Sequence, residues 1–201
     1  MNPIATERLT LDPVTAANAE TLWRIMQSPY LRRYQDVPRI PKEEFAQRVA
    51  ARPGTFDGRA AGRFEWLIVV AGTKTPIGWI SLRVADRHAS AAEIGYSIVA
   101  AARKQGYAAE AAAAVVEVAF RVGRLGRVDA CCVPENAASR RLLERIGFEQ
   151  TRVQKNGAVV RGRAVDICLY AITRAQWERR GAAPVYGSSA NSTVMPASEN
   201  A

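Results

Sequence analysis

The sequence predicts an α/β fold in which helices flank one twisted, mixed sheet of about six or seven strands. Three observations support this class. Short apolar runs of strand length alternate with longer segments of helical periodicity along most of the chain. An alanine-rich helix separates two strands near the middle, which predicts one right-handed parallel crossover. Hydrophobic residues make up 48% of the 201 residues, enough for one sizeable core.

The first half of the chain is expected to supply one strand, two helices and then three strands. Acidic Glu43 and Glu44 suit the N-terminal dipole of the second helix. The turn-forming segment at 71–76 makes the second and third strands a hairpin. The strands are predicted over residues 8–11, 64–70, 77–84 and 93–99. The first helix is predicted after Pro13, with Leu22, Trp23 and Met26 on its apolar stripe. The second helix is predicted over residues 42–51.

The second half is expected to alternate helix and strand before ending in two strands. Six alanines between positions 108 and 114 favour a helix that reaches about residue 121. Asn136 or a neighbour is expected to cap the next helix, and Gly147 to stop it at C′. The remaining strands are predicted over residues 128–133, 148–155 and 159–172, with a short charged helical turn around Trp177.

Charge and composition narrow the class of protein. The net charge of +9 favours anionic partners such as nucleic acid, phosphorylated cofactors or acidic protein surfaces. The single histidine, His88, argues against histidine-based triads and most metal sites, so no metal is expected. Cys131, Cys132 and Cys168 lack metal-ligand spacing and fit a reducing cytoplasm, with Cys131 and Cys132 read as buried strand residues. No apolar run approaches the roughly 20 residues that span a bilayer, so no membrane is expected.

The most informative segment is a strand, a basic glycine loop and a helix. A helix that begins directly after Gly106 leaves its first backbone N–H groups without intrahelical partners, and its dipole adds positive charge. Gly106 allows close backbone approach, while Arg103 and Lys104 add full charges. This arrangement is typical of a pyrophosphate site. An ordinary strand–helix turn with a solvated Arg-Lys pair is an equal alternative from the loop alone.

The same segment resembles a known family. Residues 93–96 (EIGY) and 103–111 (RKQGYAAEA) are similar to the acetyl-CoA segment of the GNAT N-acetyltransferases, whose signature is Gln/Arg-x-x-Gly-x-Gly/Ala. The spacing is most similar to the branch of ribosomal-protein N-terminal acetyltransferases, the RimJ/RimL type. Residues 136–148 and the opening TERLTL at 6–11 resemble that branch too. The resemblance implies a GNAT fold.

The resemblance also implies the domain organisation. Residues 1–180 are expected to form the acetyltransferase domain. Residues 181–201, rich in Ser, Ala, Pro, Gly and Asn, are predicted as a disordered tail.

The sequence departs from the family pattern at two positions. Lys104 and Ala100 stand where many relatives have glycine and proline, respectively, and the signature requires neither glycine nor proline there.

The implied reaction is direct transfer of an acetyl group from acetyl-CoA to an amine. Ser139 matches the general acid of the branch, although a serine there is also a common helix cap. Glu93 is a candidate to relay the amine proton through water, although a salt-bridged strand carboxylate is the simpler interpretation. The implied acetyl-CoA-binding residues are Tyr96, Ser97, Ile98, Arg103, Lys104, Gln105, Gly106, Tyr107, Ala108, Ala109 and Asn136.

The acceptor is expected to be a protein or peptide N-terminus. The connection at 28–40 is basic and aromatic, which suits an acidic peptide or a phosphate-bearing acceptor better than a polyamine. A small-molecule amine stays open. Two other classes of function stay open, a CoA-sensing module without turnover and a nucleic-acid binder. Only the net charge and residues 30–34 support the nucleic-acid binder. Otherwise, contact with nucleic acid is expected only through a ribosomal substrate. An edge strand offers a surface for a homodimer.

Overall fold

The computed structural model describes residues 1–29, 31–34, 39–58, 60–86, 88 and 90–181, and at Arg32 the backbone alone. Eight strands and five α-helices occur in these residues. The strands are β1 (Ile4–Ala5), β2 (Leu9–Pro13), β3 (Gly62–Val70), β4 (Pro76–Val84), β5 (Ala91–Ile98), β6 (Arg127–Cys132), β7 (Glu149–Val160) and β8 (Arg163–Thr173). The helices are α1 (Ala19–Met26), α2 (Lys42–Ala50), α3 (Tyr107–Arg121), α4 (Ala137–Ile146) and α5 (Arg174–Arg179).

All eight strands belong to one sheet with the order β1-β2-β3-β4-β5-β6-β8-β7. Every neighbouring pair is antiparallel except β5 and β6. This parallel pair is the predicted crossover, because α3 connects its two strands. Its register joins only Ala91–Glu93 to Arg127–Asp129, although both strands run further. The short parallel ladder positions the site described below.

The sheet carries an apolar core on each face. On one face, α3 packs through fully buried small residues such as Ala111, Ala112 and Ala119. Small side chains let a helix lie close to a sheet, so α3 is held tightly over the strands that it connects. On the other face, Leu67 and Trp79 pack against α1 and α2 through Leu22 and Phe45.

Helix boundaries follow their local signals. Gly106 has φ +84° directly before α3, and Gly147 has φ +103° directly after α4, so both expected glycine positions are confirmed. Asn136 caps α4 by accepting a hydrogen bond from the backbone N–H of Ser139 at 3.2 Å. Thr173 forms a capping box with Gln176 at the start of α5, the predicted turn around Trp177.

Two expectations about strands are wrong. The sheet has an eighth strand, β1, whose two residues are too short to produce a periodic pattern. The final hairpin turns at Arg161 and Gly162, with φ values of +53° and +74°, and not at 156–158. Those angles form the two-residue turn that suits strand twist. Asn156 and Gly157, a common turn sequence, instead lie at a register shift inside β7, where the strand bulges.

The sequence-predicted tail and connection are described only in part. Residues 182–201 lie outside the described residues, as do Tyr30 and residues 35–38 of the connection. Within the part of the chain that is described, no helix is long and apolar enough to cross a membrane. His88 is exposed.

Candidate active site

A cleft of about 1080 Å³ opens where β5 and β6 separate. Beyond Glu93 and Asp129 the two strands no longer pair with each other, while β5 stays paired with β4 and β6 with β8. Backbone groups along one edge of Ile94–Ile98 and of Ala130–Cys132 therefore face the gap. The cleft wall combines these strand edges, the loop before α3, the first turns of α4 and the tip of the β7–β8 hairpin.

The loop before α3 has two residues in the left-handed backbone region. Lys104 has φ +63° and Gly106 has φ +84°. The N–H groups of Ala109 and Glu110 already donate to the Gly106 carbonyl, at 3.0 and 3.1 Å. The N–H groups of Tyr107 and Ala108 precede those first helical bonds, and both residues line the cleft. An anion in the cleft would meet them at the positive end of the helix dipole.

A hydrogen-bonded pair of hydroxyl groups lies between β5 and α4. The Tyr96 and Ser139 hydroxyl oxygens are 3.0 Å apart. Asn136 already caps α4, so the Ser139 hydroxyl is not the cap that the sequence left open as an alternative. Burial raises the pKa of Tyr96 above its ordinary value, while the Ser139 hydrogen bond lowers it in part. The phenol therefore stays protonated at neutral pH and presents an O–H group beside the cleft.

The sequence did not predict this pair. Its members are 43 residues apart, and the resemblance implies only acetyl-CoA binding for Tyr96. A serine three residues after an asparagine cap and a strand tyrosine are each unremarkable by themselves. The three-dimensional crossover alone brings them together, so no local pattern reveals the contact.

Glu93 lines the cleft but already has a partner. Its carboxylate accepts a hydrogen bond from the Arg83 guanidinium at 2.6 Å, and 39% of its side chain is exposed. The Cys131 thiol lies 3.6 Å from its other oxygen. These contacts favour a structural ion pair, which is the simpler of the two interpretations that the sequence allowed.

The two adjacent cysteines of β6 have different surroundings. Cys132 is buried, and this burial raises its pKa to about 11, so the thiol is protonated at neutral pH. Cys131 is exposed, so the expectation that both are buried is wrong for Cys131. Successive residues of a strand point to opposite faces, and only the Cys132 face is covered by the core at this point.

Basic side chains dominate the charge of the described cleft. Arg103 donates a hydrogen bond from Nε to the carbonyl of Ile98 at 3.0 Å and so stabilises the end of β5. Arg140 points elsewhere, toward the buried hydroxyl of Tyr170 at 3.3 Å. The charged residues in the wall are the five basic residues Arg63, Arg103, Lys104, Arg141 and Arg145 and the two acidic residues Glu93 and Glu144.

The cleft has the features of a site for a long ligand that carries negative charge. Diverging parallel strands beside a glycine-capped helix N-terminus suit a long, extended ligand with an anionic part, which is the chemistry of an acyl-CoA-dependent transferase. Residues 8–149 match the family described as "Acetyltransferase (GNAT) domain". The chain belongs to this family and is an acetyl-CoA-dependent acyltransferase.

Individual relatives agree with this assignment. An uncharacterized N-acetyltransferase p20 from Bacillus licheniformis is 25% identical over 88% of this chain and 99% of the relative. The ribosomal-protein-S5-alanine acetyltransferase from Vibrio fischeri shares the fold, with a TM-score of 0.79 and 19% identity over 88% of this chain and 99% of that one. A chimera of the spermidine N-acetyltransferase SpeG from Vibrio cholerae also shares it, with a TM-score of 0.74 and 17% identity over 86% and 99% of the two chains.

The Tyr96–Ser139 pair makes a prediction about ionisation. In a pH titration followed at 295 nm, subtracting the curve of Tyr96→Phe from that of the wild type should show Tyr96 ionising well above pH 10. Ser139→Ala should move that ionisation to still higher pH, because the serine no longer stabilises the phenolate. An ordinary ionisation of Tyr96 near pH 10 would contradict the buried pair.

Proposed function

We propose that this enzyme transfers the acetyl group of acetyl-CoA to the α-amine of a protein or peptide N-terminus. The observation that carries the choice of acceptor is the state of the two carboxylates in the described cleft. Glu93 is paired with Arg83, and Glu144 accepts a hydrogen bond from the Tyr170 hydroxyl at 3.2 Å. Since both carboxylates already have hydrogen-bond partners, a water relay to Glu93 is best served by an acceptor amine that loses its proton easily.

The difference between amines is large at neutral pH. An α-amino group has a pKa of about 7.7–8.0, so at pH 7 about one molecule in ten is neutral and able to attack. A lysine-like amine has a pKa of about 10.4, so only about one molecule in 2,500 is neutral. The basic connection at 28–40 also suits an acidic peptide better than a polycation. Both effects favour an N-terminus over a polyamine.

The residues around the cleft fit acetyl-CoA. The facing edges of β5 and β6 offer backbone donors and acceptors to the amides of the pantetheine arm. The N-terminus of α3 offers N–H groups and dipole to the diphosphate, and Arg141 and Arg145 offer charge to the remaining phosphate. We propose these residues for acetyl-CoA binding: Tyr96, Ser97, Ile98, Arg103, Lys104, Gln105, Gly106, Tyr107, Ala108, Ala109 and Asn136. Ala109 acts by its small size, because its N–H is used within α3.

Each catalytic residue has a limited role. When a neutral amine attacks the thioester carbon, the C–N bond forms, the C–S bond breaks, and the proton lost by nitrogen balances the one gained by sulfur. Ser139 would donate a hydrogen bond to the sulfur as negative charge develops there, and Tyr96 would orient the serine. A relay of the amine proton through water to Glu93 stays a prediction.

The names of structural neighbours cover both classes of acceptor. One structural neighbour is a ribosomal-protein-S5-alanine acetyltransferase, and another is a spermidine N-acetyltransferase. The same fold therefore serves both acceptor classes, and the charge and proton arguments above favour the first. A small-molecule amine, a CoA-sensing module and a homodimer through an edge strand remain separate predictions.

The acceptor experiment compares amines of different pKa. Acetyl transfer is measured with N-terminal peptides of ribosomal proteins, with the same peptides blocked at the N-terminus but carrying lysine, and with spermidine. We expect transfer to free N-termini, with kcat/KM rising with pH and levelling near pH 8. Transfer to spermidine or lysine that rises to above pH 10 would overturn the choice of acceptor. Binding of acetyl-CoA with no transfer to any amine would favour the sensing module.

Gly106 supplies a test of the acetyl-CoA site. Residue 106 has a left-handed backbone, which costs roughly 1–2 kcal/mol once a methyl group is present in Gly106→Ala. The new methyl group would also lie 3.3 Å from the Arg8 guanidinium. We expect the Kd for acetyl-CoA, measured by calorimetry, to rise at least tenfold. The matched control is Gly72→Ala, which has φ +79° in a β-turn with open space around it. An unchanged Kd in Gly106→Ala would show that the diphosphate does not bind at this loop.

Ser139 supplies a test of the chemical step. Ser139→Ala removes the hydrogen bond to Tyr96 without touching the cap of α4, because the cap uses the backbone N–H of Ser139. We expect kcat to fall roughly 10- to 100-fold while the Kd for acetyl-CoA changes by less than about twofold. Unchanged kcat would reduce Ser139 to a structural residue.

A further inference from the structure

The side chain of Arg8 reaches the cofactor loop from the far end of the sequence. Arg8 directly precedes β2, and its Nη1 donates a hydrogen bond to the carbonyl of Gln105 at 3.0 Å. Its guanidinium lies over the ring of Tyr107, 4.9 Å from the centroid. A Cβ on Gly106 would meet its Nη2 at 3.3 Å. One side chain therefore contacts three consecutive residues of the loop, two by packing and one by a hydrogen bond.

A buried carboxylate fixes the orientation of Arg8. Glu110, in the first turn of α3, is only 3% exposed. Its Oε2 accepts a hydrogen bond from Nε of Arg8 at 2.7 Å and lies 2.6 Å from Nη2 in the same ion pair. Its Oε1 accepts from the backbone N–H of Arg8 at 2.9 Å and from the Thr6 hydroxyl at 2.6 Å. These charge-assisted contacts restrict the orientation of the planar guanidinium.

The loop has a physical need for this support. Lys104 and Gly106, which flank Gln105, both have positive φ. Glycine adopts such angles freely, but for Lys104 this conformation is strained and persists only where surrounding contacts over-determine it. The hydrogen bond to the Gln105 carbonyl comes from outside the loop and from outside α3, so it opposes relaxation of the segment as a whole.

We propose that Arg8 is a positioning residue that holds residues 105–107 in their diphosphate-binding conformation, and that Glu110 holds Arg8. The inference rests on the proposed acetyl-CoA site. Arg8 acts through geometry, because Glu110 neutralises its charge and its donors are turned to Glu110 and Gln105. Arg8 stands 97 residues from the carbonyl that it contacts, so no local sequence pattern reveals this role.

A comparison of two acetyl donors separates this role from a general loss of structure. Acetyl-CoA carries the diphosphate, and S-acetylpantetheine carries the same reacting end without it. For Arg8→Ala we expect the Kd of acetyl-CoA to rise tenfold or more, with kcat at saturation within about twofold of wild type. With S-acetylpantetheine, kcat/KM should equal that of the wild type. An equal loss with both donors would show a structural role only and overturn the proposal.

Glu110→Gln distinguishes positioning from direct charge. This substitution removes a negative charge from the first turn of α3, close to the anion site. If Arg8 contributed mainly its own charge, freeing it from Glu110 would tighten acetyl-CoA binding. Positioning predicts the opposite sign, namely a Kd at least fivefold higher, because the guanidinium is no longer held. Tighter binding in Glu110→Gln would overturn the proposal.

Controls use another ion pair of the same helix. Arg121 and Glu117 form an exposed pair at 2.8 Å near the end of α3, and Arg121→Gln and Glu117→Gln change net charge by the same amounts. Both should leave the Kd within twofold. If Arg8→Ala fails to unfold cooperatively, Arg8→Lys takes its place, and an intermediate Kd is expected because lysine keeps one donor but no fork.

Binding of acetyl-CoA to the wild-type protein distinguishes failure of the proposed acetyl-CoA site from failure of the role proposed for Arg8. If the folded wild type does not bind acetyl-CoA, the proposed site is wrong and the role of Arg8 is wrong with it. If the wild type binds and both Arg8 variants bind equally well, only the role of Arg8 is overturned.

Discussion

The structure depends on the point at which parallel pairing between β5 and β6 ends. Three residue pairs join the strands, and then each strand follows its other neighbour. Backbone groups on the two facing edges would be costly to bury without partners. A gap of this kind is therefore stable only when it is open to water or to a ligand that has amide groups of its own. The break in the ladder creates the cleft and also sets the chemical nature of what can fill it.

The remaining elements place a positive helix end at that gap. The crossover connection forces α3 to begin where β5 ends, and its buried alanines hold it close to the sheet. Gly106 turns the chain into the helix without a side chain in the way. Arg103 ties the loop to the carbonyl of Ile98, and Arg8 ties it to the N-terminal strands. The N-terminal end of α3 is thus anchored to β5 and to the segment before β2, which pre-organises it before a ligand arrives.

Local signals made some parts of this arrangement predictable. The start of α3 and the end of α4 each depend on one glycine in a left-handed conformation next to a strong helical pattern, and both were predicted correctly. The final turn was misplaced because Asn156 and Gly157 carry the stronger turn signal, while β7 has enough partners in β8 to absorb them as a bulge. Local chemistry decides helix ends, but competition between registers decides where a hairpin turns.

Contacts between distant residues were beyond the reach of pattern analysis. The hydroxyls of Tyr96 and Ser139 meet across 43 residues, and Arg8 meets Glu110 across 102. Exposure of Cys131 similarly depends on which face of β6 the helices cover. The family resemblance supplied Ser139 and Tyr96 as separate positions but not the contact between them, since a resemblance transfers positions and not the contacts of a particular chain.

The ionisation of Tyr96 limits what the hydroxyl pair can do and connects catalysis to the acceptor. A thiol has an ordinary pKa of about 8.5, whereas burial holds the pKa of Tyr96 above 10. Complete proton transfer from the tyrosine to a thiolate would therefore be uphill by at least about 2 kcal/mol. The pair is suited to donate a hydrogen bond and not to surrender a proton. A pair that only stabilises the leaving thiolate does not help the acceptor to lose its ammonium proton before attack. At neutral pH an N-terminus loses that proton far more readily than a lysine-like amine does.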